Sequence, residues 1–570
     1  MSLNSYNSSK TFPLCPAASD QPLPFTIDEM DFSTWLSTLS SSDDNTKCQK
    51  IFQVLQTLNS AYPPHRMIIP GRTRLFFLDK LGAVLTTSAG ILTNFPGTTD
   101  VATQTVAKED MGKSEISAWS SIELARAYTL LTQENWFREN DYYSLNEKTS
   151  IIANGLHALG RGLLYIHQTY SRPHADFWVM CCQFYRLAQS QLLIDSTFNP
   201  EASNAIENAF KRILVFTLSN PNQFSPHEMS IIYAMLGHYA VHASLLKSVP
   251  KKKFKGIPSI HLKNGHPPII SDDSTEHHDP DCIYIATVVV ASKILEATYD
   301  KRARYLPTDR LMLLRLAKTL TLNEQRKDDR KLAQGGHYGT VGFDNIVKLI
   351  QNKETEQKNS AFNPTSSGFS VRPGEIRDLN FEIVSTDNKK PNPAKQTLNL
   401  QNDPDGAFKV VEFTDPASIW NTSAQPQIET SMRLVDKSLK GYGLIWTDIQ
   451  IKPKVGSIIG IMSGVLNVGL IRWLAQSKET GMFMGVELLG SRADSVKIYN
   501  PGYPDDEVNA IFLPGNDALS QSASLIIINK VFKPNEFIFI RKGHKNIRYR
   551  IVKQLHLTSF INHFEIIRSH

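Results

Sequence analysis

The spacing of apolar residues changes once along this chain, near Arg330, and one kind of element cannot satisfy both spacings. Upstream, apolar residues recur every three or four positions, as in TKCQKIFQVLQTLNSAY (46–62), EKTSIIANGLHALGRGLLYIHQTY (147–170) and PEASNAIENAFKRILVFTLS (200–219). That period gathers them on one stripe of an α-helix. Downstream, apolar and polar residues alternate in short runs, as in SMRLVDKS (431–438), YGLIWTD (442–448), MFMGVELLG (482–490) and EFIFIRKG (536–543), with turn residues between them. Alternation fits strands with one covered face. The expected fold class is therefore multidomain α + β: an N-terminal all-α helical bundle or array, then an antiparallel β-barrel with an additional β module.

At 570 residues the chain is too long for a single core. Residues 1–25 read as a disordered lead-in, 26–322 as an all-helical domain, 323–500 as a barrel with a long polar insertion at 352–425, and 505–570 as a further β module. Two helix starts are marked by capping pairs, Ser144 with Glu147 and Ser225 with Glu228. The run CIYIATVVVASKILEAT (282–298) is too short for its period to decide between strand and helix. IIGIMSGVLNVGLI (458–471) is too short to span a bilayer and reads as two adjacent strands.

Composition excludes several classes. Five cysteines, without a CxxC pair, argue against a zinc ribbon or a disulfide framework and for a reducing, cytoplasmic compartment. Cys181 and Cys182 lie in an apolar helical run and read as core. No Walker loop, GxSxG or GxGxxG is present, so binding is expected and not turnover, with no cofactor. The loop STEHHDPDC (274–282) holds metal-capable residues but lacks a second cluster at ligand spacing, and no metal is expected. KKKFK (251–255) reads as a linker or a contact for an anionic surface. Net charge is +6, and the window Lys301–Lys331 alone holds ten Lys or Arg against four Asp or Glu. A local excess of that size points to a bound anion or to a solvated helix face, and not to a nucleic-acid polymer.

Two short patterns carry the chemistry. Asp436, Ser438 and Gly441 form DxSxxG at a strand end. The first two share a face, two residues apart, and the glycine permits a tight turn or a close approach. A hairpin capped by its own side chains explains the same residues. Arg326 and Arg330 form RxxxR at the entrance to the β region, where planar forks of donors suit phosphate and the O6/N7 edge of guanine. A helix C-terminus also favours arginine.

Together, and in this order, RxxxR and DxSxxG resemble the PilZ domain, a bacterial receptor module for cyclic di-GMP. The strands VGLIRW (468–473) and GVEL (485–488) are similar to the later strands of that barrel. The resemblance covers about residues 326–351 and 428–499. It implies a cyclic di-GMP receptor in which Arg326 and Arg330 grip phosphates and guanine edges. Asp436 would accept from a guanine Watson–Crick edge, Ser438 would hold a base or phosphate oxygen, and Gly441 would let a base approach. Ligand capture would then be passed to the helical domain and to a protein partner there. Asp328 and Asp329 stand between the two arginines, so the alternative is an interaction scaffold whose barrel has lost its nucleotide.

Overall fold

The computed structural model describes residues 11–12, 22–60, 69–88, 111–133, 142–194, 200–248, 257–270, 281–300, 307–321, 331–362, 430–438, 440–448, 451–477, 481–515, 521–528, 530–542 and 545–569. The chain forms two units, one of residues 1–350 and 429–570, the other of 351–428. Of the second, only the end of one helix is described.

Ten helices make up most of the N-terminal part of the described residues. They are α1 (Glu29–Thr38), α2 (Asp44–Asn59), α3 (Gly71–Ser88), α4 (Met111–Gln133), α5 (Leu145–Gln168), α6 (Ala175–Ser190), α7 (Pro200–Leu218), α8 (Pro226–Tyr239), α9 (Val288–Tyr299) and α10 (Pro307–Thr321). Helices α5 and α8 start where the sequence marks them. Ser144 caps α5 and Ser225 caps α8, each in a reciprocal box with a glutamate three residues on. α5 is the central element, with Ile152, Leu156, Leu159 and Leu163 buried along one face against α4, α6, α7 and α8. Cys181 and Cys182 are buried in this core, where desolvation raises both thiols, Cys182 to about 12.

Two expectations are corrected here and one open reading is decided. The lead-in is not wholly outside the fold: Phe12 is buried with Ala118, Tyr165 and Ile166, and its N–H donates to the Arg172 carbonyl at 2.7 Å. Phe25, at the other end of the same stretch, is buried too, edge-on to Phe32 and Phe77. The helical region also carries a sheet of β1 (Ser244–Leu246), β2 (Pro258–His261), β3 (Ile269–Ile270) and β4 (Cys282–Ala286), in the order β1-β4-β2-β3. The ambiguous run 282–298 is strand and helix in succession: Ile283 and Ile285 alternate inward on β4, and α9 begins at Val288. His238 and His242 are exposed at the end of α8 and just beyond it.

The first barrel is closed and antiparallel, in the order β10-β7-β6-β5-β8-β9. Its strands are β5 (Lys331–Val341), β6 (Thr430–Ser438), β7 (Gly441–Trp446), β8 (Ile458–Ser463), β9 (Val465–Gln476) and β10 (Met482–Ser491). β8 and β9 turn back on each other at Gly464, whose φ of 80° suits glycine. Ile459 and Ile461 point inward and join the core of the helical region. Ile458 points outward and packs against Ile346 and Ile350 of α11 (Phe343–Phe362), the helix that follows β5. Most of the 352–425 segment, including FKVVEFT (408–414), lies outside the described residues.

The remaining strands close a second barrel, in the order β11-β12-β13-β16-β15-β14. They are β11 (Asp494–Asn500), β12 (Tyr503–Leu513), β13 (Ser524–Ile527), β14 (Phe537–Lys542), β15 (Lys545–Leu557) and β16 (Asn562–Arg568). β11 pairs with β12 and β14 and with no strand of the first barrel, so the two barrels divide before Asp494 and not between 500 and 505. Alternation along β11 reads the same in either barrel, which is why the spacing alone misplaces the boundary.

Candidate ligand site at the rim of the first barrel

The site grows from the β6–β7 hairpin. Ser438 pairs with Gly441 across the turn, and its hydroxyl donates to the Gly441 carbonyl at 3.3 Å. The hydroxyl therefore closes the turn and keeps lone pairs with which to accept. Asp436 is half-buried and pairs with Gly443, after a bulge that shifts the register between Leu434 and Asp436. A Cβ at Gly443 would meet Asp436 Oδ1 at 2.5 Å, so the carboxylate lies directly over a bare Cα. Gly443 thus belongs with Asp436 in the candidate site although the pattern DxSxxG does not contain it; its i, i+2 spacing from Gly441 on one strand is the sequence sign of it.

Gly441 is buried, and the place of its Cβ is taken by the Val486 carbonyl of β10, 2.2 Å away. The barrel itself thus requires a glycine here, because a side chain would push β7 off β10. Leu488 N–H also donates to the Lys440 carbonyl at 2.9 Å, which fastens the turn to β10.

β5 runs antiparallel to β6, with Lys331 opposite Lys437 and Leu332 opposite Asp436. Arg330 directly precedes Lys331 in the chain, and Arg326 lies four residues further back. Both arginines lie outside the described residues, as do Asp328 and Asp329. Lys331 itself lies beside the hairpin that carries Asp436 and Ser438. At this rim Lys331 and Lys437 face each other across the ladder, both exposed, with exposed Lys440 in the turn. Like charges directly opposite destabilise a pair of strands, and an anion at the rim relieves that repulsion.

Behind the hairpin, Glu487 on β10 pairs with Gly441 in the ladder and forms a close ion pair with Arg472 of β9. Arg472 Nη2 also lies 3.3 Å from His556 Nδ1 on β15 of the second barrel. His556 stacks on His563 of β16, with ring centroids 5.4 Å apart. On the other side is Arg315 of α10, which donates to Glu228 at 2.6 Å. Burial lowers the Arg315 guanidinium from its ordinary value; Glu228 opposes this and the nearby Arg472 cation adds to it. Arg472 thus stands where helical region, first barrel and second barrel meet. The strand VGLIRW was read from sequence for its barrel-like pattern, without this role for its arginine.

Among the described residues no group of three or more His, Cys, Asp or Glu is placed to hold a metal ion. Most of the His-rich loop, 274–280, lies outside those residues, as does KKKFK. No helix among the described residues is long and apolar enough to cross a membrane.

A closed six-stranded barrel with DxSxxG on its first hairpin and a helical region before it defines a PilZ-type receptor. Comparison with protein families agrees and narrows the class. The N-terminal domain of the cyclic-di-GMP receptor FimW matches residues 30–251, and the middle PilZ domain of the same receptor matches 260–494. The chain belongs to the FimW family of cyclic-di-GMP receptors. The second match ends where β11 begins, so the second barrel lies beyond both. No curated protein and no solved structure matches the chain.

Proposed function

We propose that this chain binds cyclic di-GMP at the rim of the first barrel and passes the event to the domains on either side. Arg326 and Arg330 hold phosphates and guanine edges. Asp436 accepts from a guanine Watson–Crick edge, Ser438 accepts from or donates to a base or phosphate oxygen, and Gly441 keeps the hairpin seated on β10. One observation carries the reading: the β5–β6 register starts the barrel one residue after Arg330, against Lys437 and beside Asp436. A dianion there meets three lysines, two arginines and one acceptor for guanine N–H groups. The Glu487–Arg472 pair behind Gly441 is the route toward α10 and the second barrel. The outcome is an ordered arm against the hairpin and an altered junction, read by a protein partner of the helical domain.

Calorimetry on the full chain tests this. Cyclic di-GMP should bind at micromolar or tighter Kd, and Arg326→Ala, Arg330→Ala or Asp436→Ala should each weaken it by tenfold or more, about 1.4 kcal/mol. Heat equal to dilution for the unaltered protein leaves the scaffold reading in its place.

A further inference from the structure

Three groups able to carry positive charge meet inside the helical region: His157 and Arg161 of α5 and Arg212 of α7. His157 and Arg161 are four residues apart and share a helix face. Tyr233 of α8 joins them to Arg212. Its carbonyl accepts from Arg212 Nε at 3.0 Å and Nη2 at 2.6 Å, and the same guanidinium lies 3.8 Å from its ring centre. Its hydroxyl reaches α5 beside Arg161, 2.4 Å from where a Cβ at Gly160 would stand. The Arg161 Nε is sealed from solvent with no hydrogen-bond partner among the described residues, although part of the side chain keeps some exposure. Burial lowers the Arg161 guanidinium, with Tyr233, Tyr165 and Tyr128 opposing and Arg212 adding to the shift. Burial lowers His157 to about 4, and Arg161 and Arg212 press it the same way. Among the described residues no carboxylate pairs with Arg161 or Arg212.

A guanidinium taken out of water without a partner costs several kcal/mol, and a second one beside it adds to that. An acceptor that enters from solvent removes the penalty. The Arg212 fork is held by the Tyr233 carbonyl, but the Arg161 fork, an imidazole and a tyrosine hydroxyl still offer more donors than the two oxygens of one carboxylate can take. The three outer oxygens of a phosphate ester match them better, and arginine is suited to that geometry. We infer that the junction of α5, α7 and α8 is a binding site for a small phosphoryl anion, with Arg161 its principal ligand, His157 and the Tyr233 hydroxyl beside it, and Arg212 adding positive potential. The site is separate from the barrel rim and does not rest on the cyclic di-GMP reading.

Inorganic phosphate is the probe, titrated into the full chain by calorimetry at constant ionic strength. Saturable binding is expected, weakened at least tenfold by Arg161→Gln, with circular dichroism and the cyclic di-GMP titration of that variant unchanged. If Arg161→Gln does not fold, Arg161→Lys keeps the charge without the fork and should still weaken phosphate several-fold. No saturable heat with the unaltered protein, equal binding by the variant, or displacement of phosphate by equimolar acetate each overturns the site. Tighter binding of glycerol phosphate than of a phosphoserine peptide assigns a small metabolite as its source, and the reverse order assigns a phosphorylated protein.

Discussion

The Asp436 carboxylate rests on the Cα of Gly443, in the strand opposite, with Oδ1 2.5 Å from where a Cβ would stand. The side chain proposed to meet guanine is thus positioned by the lack of one across the ladder. In the proposed site the glycine would act only by seating that carboxylate.

Gly443→Ala should therefore act through Asp436. The methyl group displaces the carboxylate from the ladder, and cyclic di-GMP should bind about tenfold more weakly, near 1.4 kcal/mol. Stability should fall by about 1 kcal/mol. Because both changes remove the same contact, Gly443→Ala combined with Asp436→Ala should bind no more weakly than Asp436→Ala alone. Calorimetry on the three variants reads this, and additive losses would place Gly443 outside the Asp436 unit.

Gly485 and Trp473 supply a second test of the same kind, for the barrel and not the site. The two residues pair across β9 and β10, and a Cβ at Gly485 would fall 1.9 Å from the indole Nε1. The indole also meets Phe483 edge-on at 5.0 Å. Gly485→Ala must push the ring off its seat, an overpacking cost of about 1–3 kcal/mol. Urea unfolding followed by tryptophan emission should show an earlier first transition; an unchanged midpoint would mean that the indole moves aside at no cost.

These two glycines show what could and could not be read along the chain. The strands from Thr430 onward were legible because alternation survives wherever one face is covered, and Asp436 and Ser438 were placed on a strand end for that reason. The capping pairs at Ser144 and Ser225 were legible because their chemistry is local. For Gly443 the spacing from Gly441 marks the face but not the partner, since Asp436 lies across a bulge that the spacing does not record. The sheet of β1 to β4 was missed because its strands are two to five residues long, too few for any period to be established. Arg472 and His556 are 84 residues apart, and only the packing of one barrel on the other brings them together.

That contact predicts how far the ligand is felt. If the rim is coupled to the second barrel through Glu487 and Arg472, cyclic di-GMP should slow amide exchange in β15 around His556 as well as in the β6–β7 hairpin. Arg472→Ala should abolish the change in β15 and leave the hairpin protected. Hydrogen exchange with and without ligand measures both regions in one experiment. Equal β15 protection in the variant would route the coupling elsewhere.

The stacked pair His556–His563 makes the seam between the barrels sensitive to acid. Burial, then His556 and Arg472, hold the His563 imidazole down to about 3. Burial and Arg472 lower His556, against Glu487. In the unfolded chain each imidazole takes up its proton near pH 6.5. Between those values the unfolded chain binds more protons than the folded one, so stability is complete above about pH 6.5 and declines as pH falls toward 3. The decline is about 1.4 kcal/mol per pH unit for each such histidine. His157 and His167, each lowered by burial to about 4, act in the same direction. His563→Phe removes one of these protons and keeps a ring in place. Neither ring nitrogen of His563 has a hydrogen-bond partner, so the exchange should not lower stability at pH 7. Unfolding free energies at pH 7, 6 and 5 should then fall less steeply in the variant, by about 1.4 kcal/mol per unit once below pH 6. Parallel slopes would mean that His563 is already protonated, or already wet, in the folded protein.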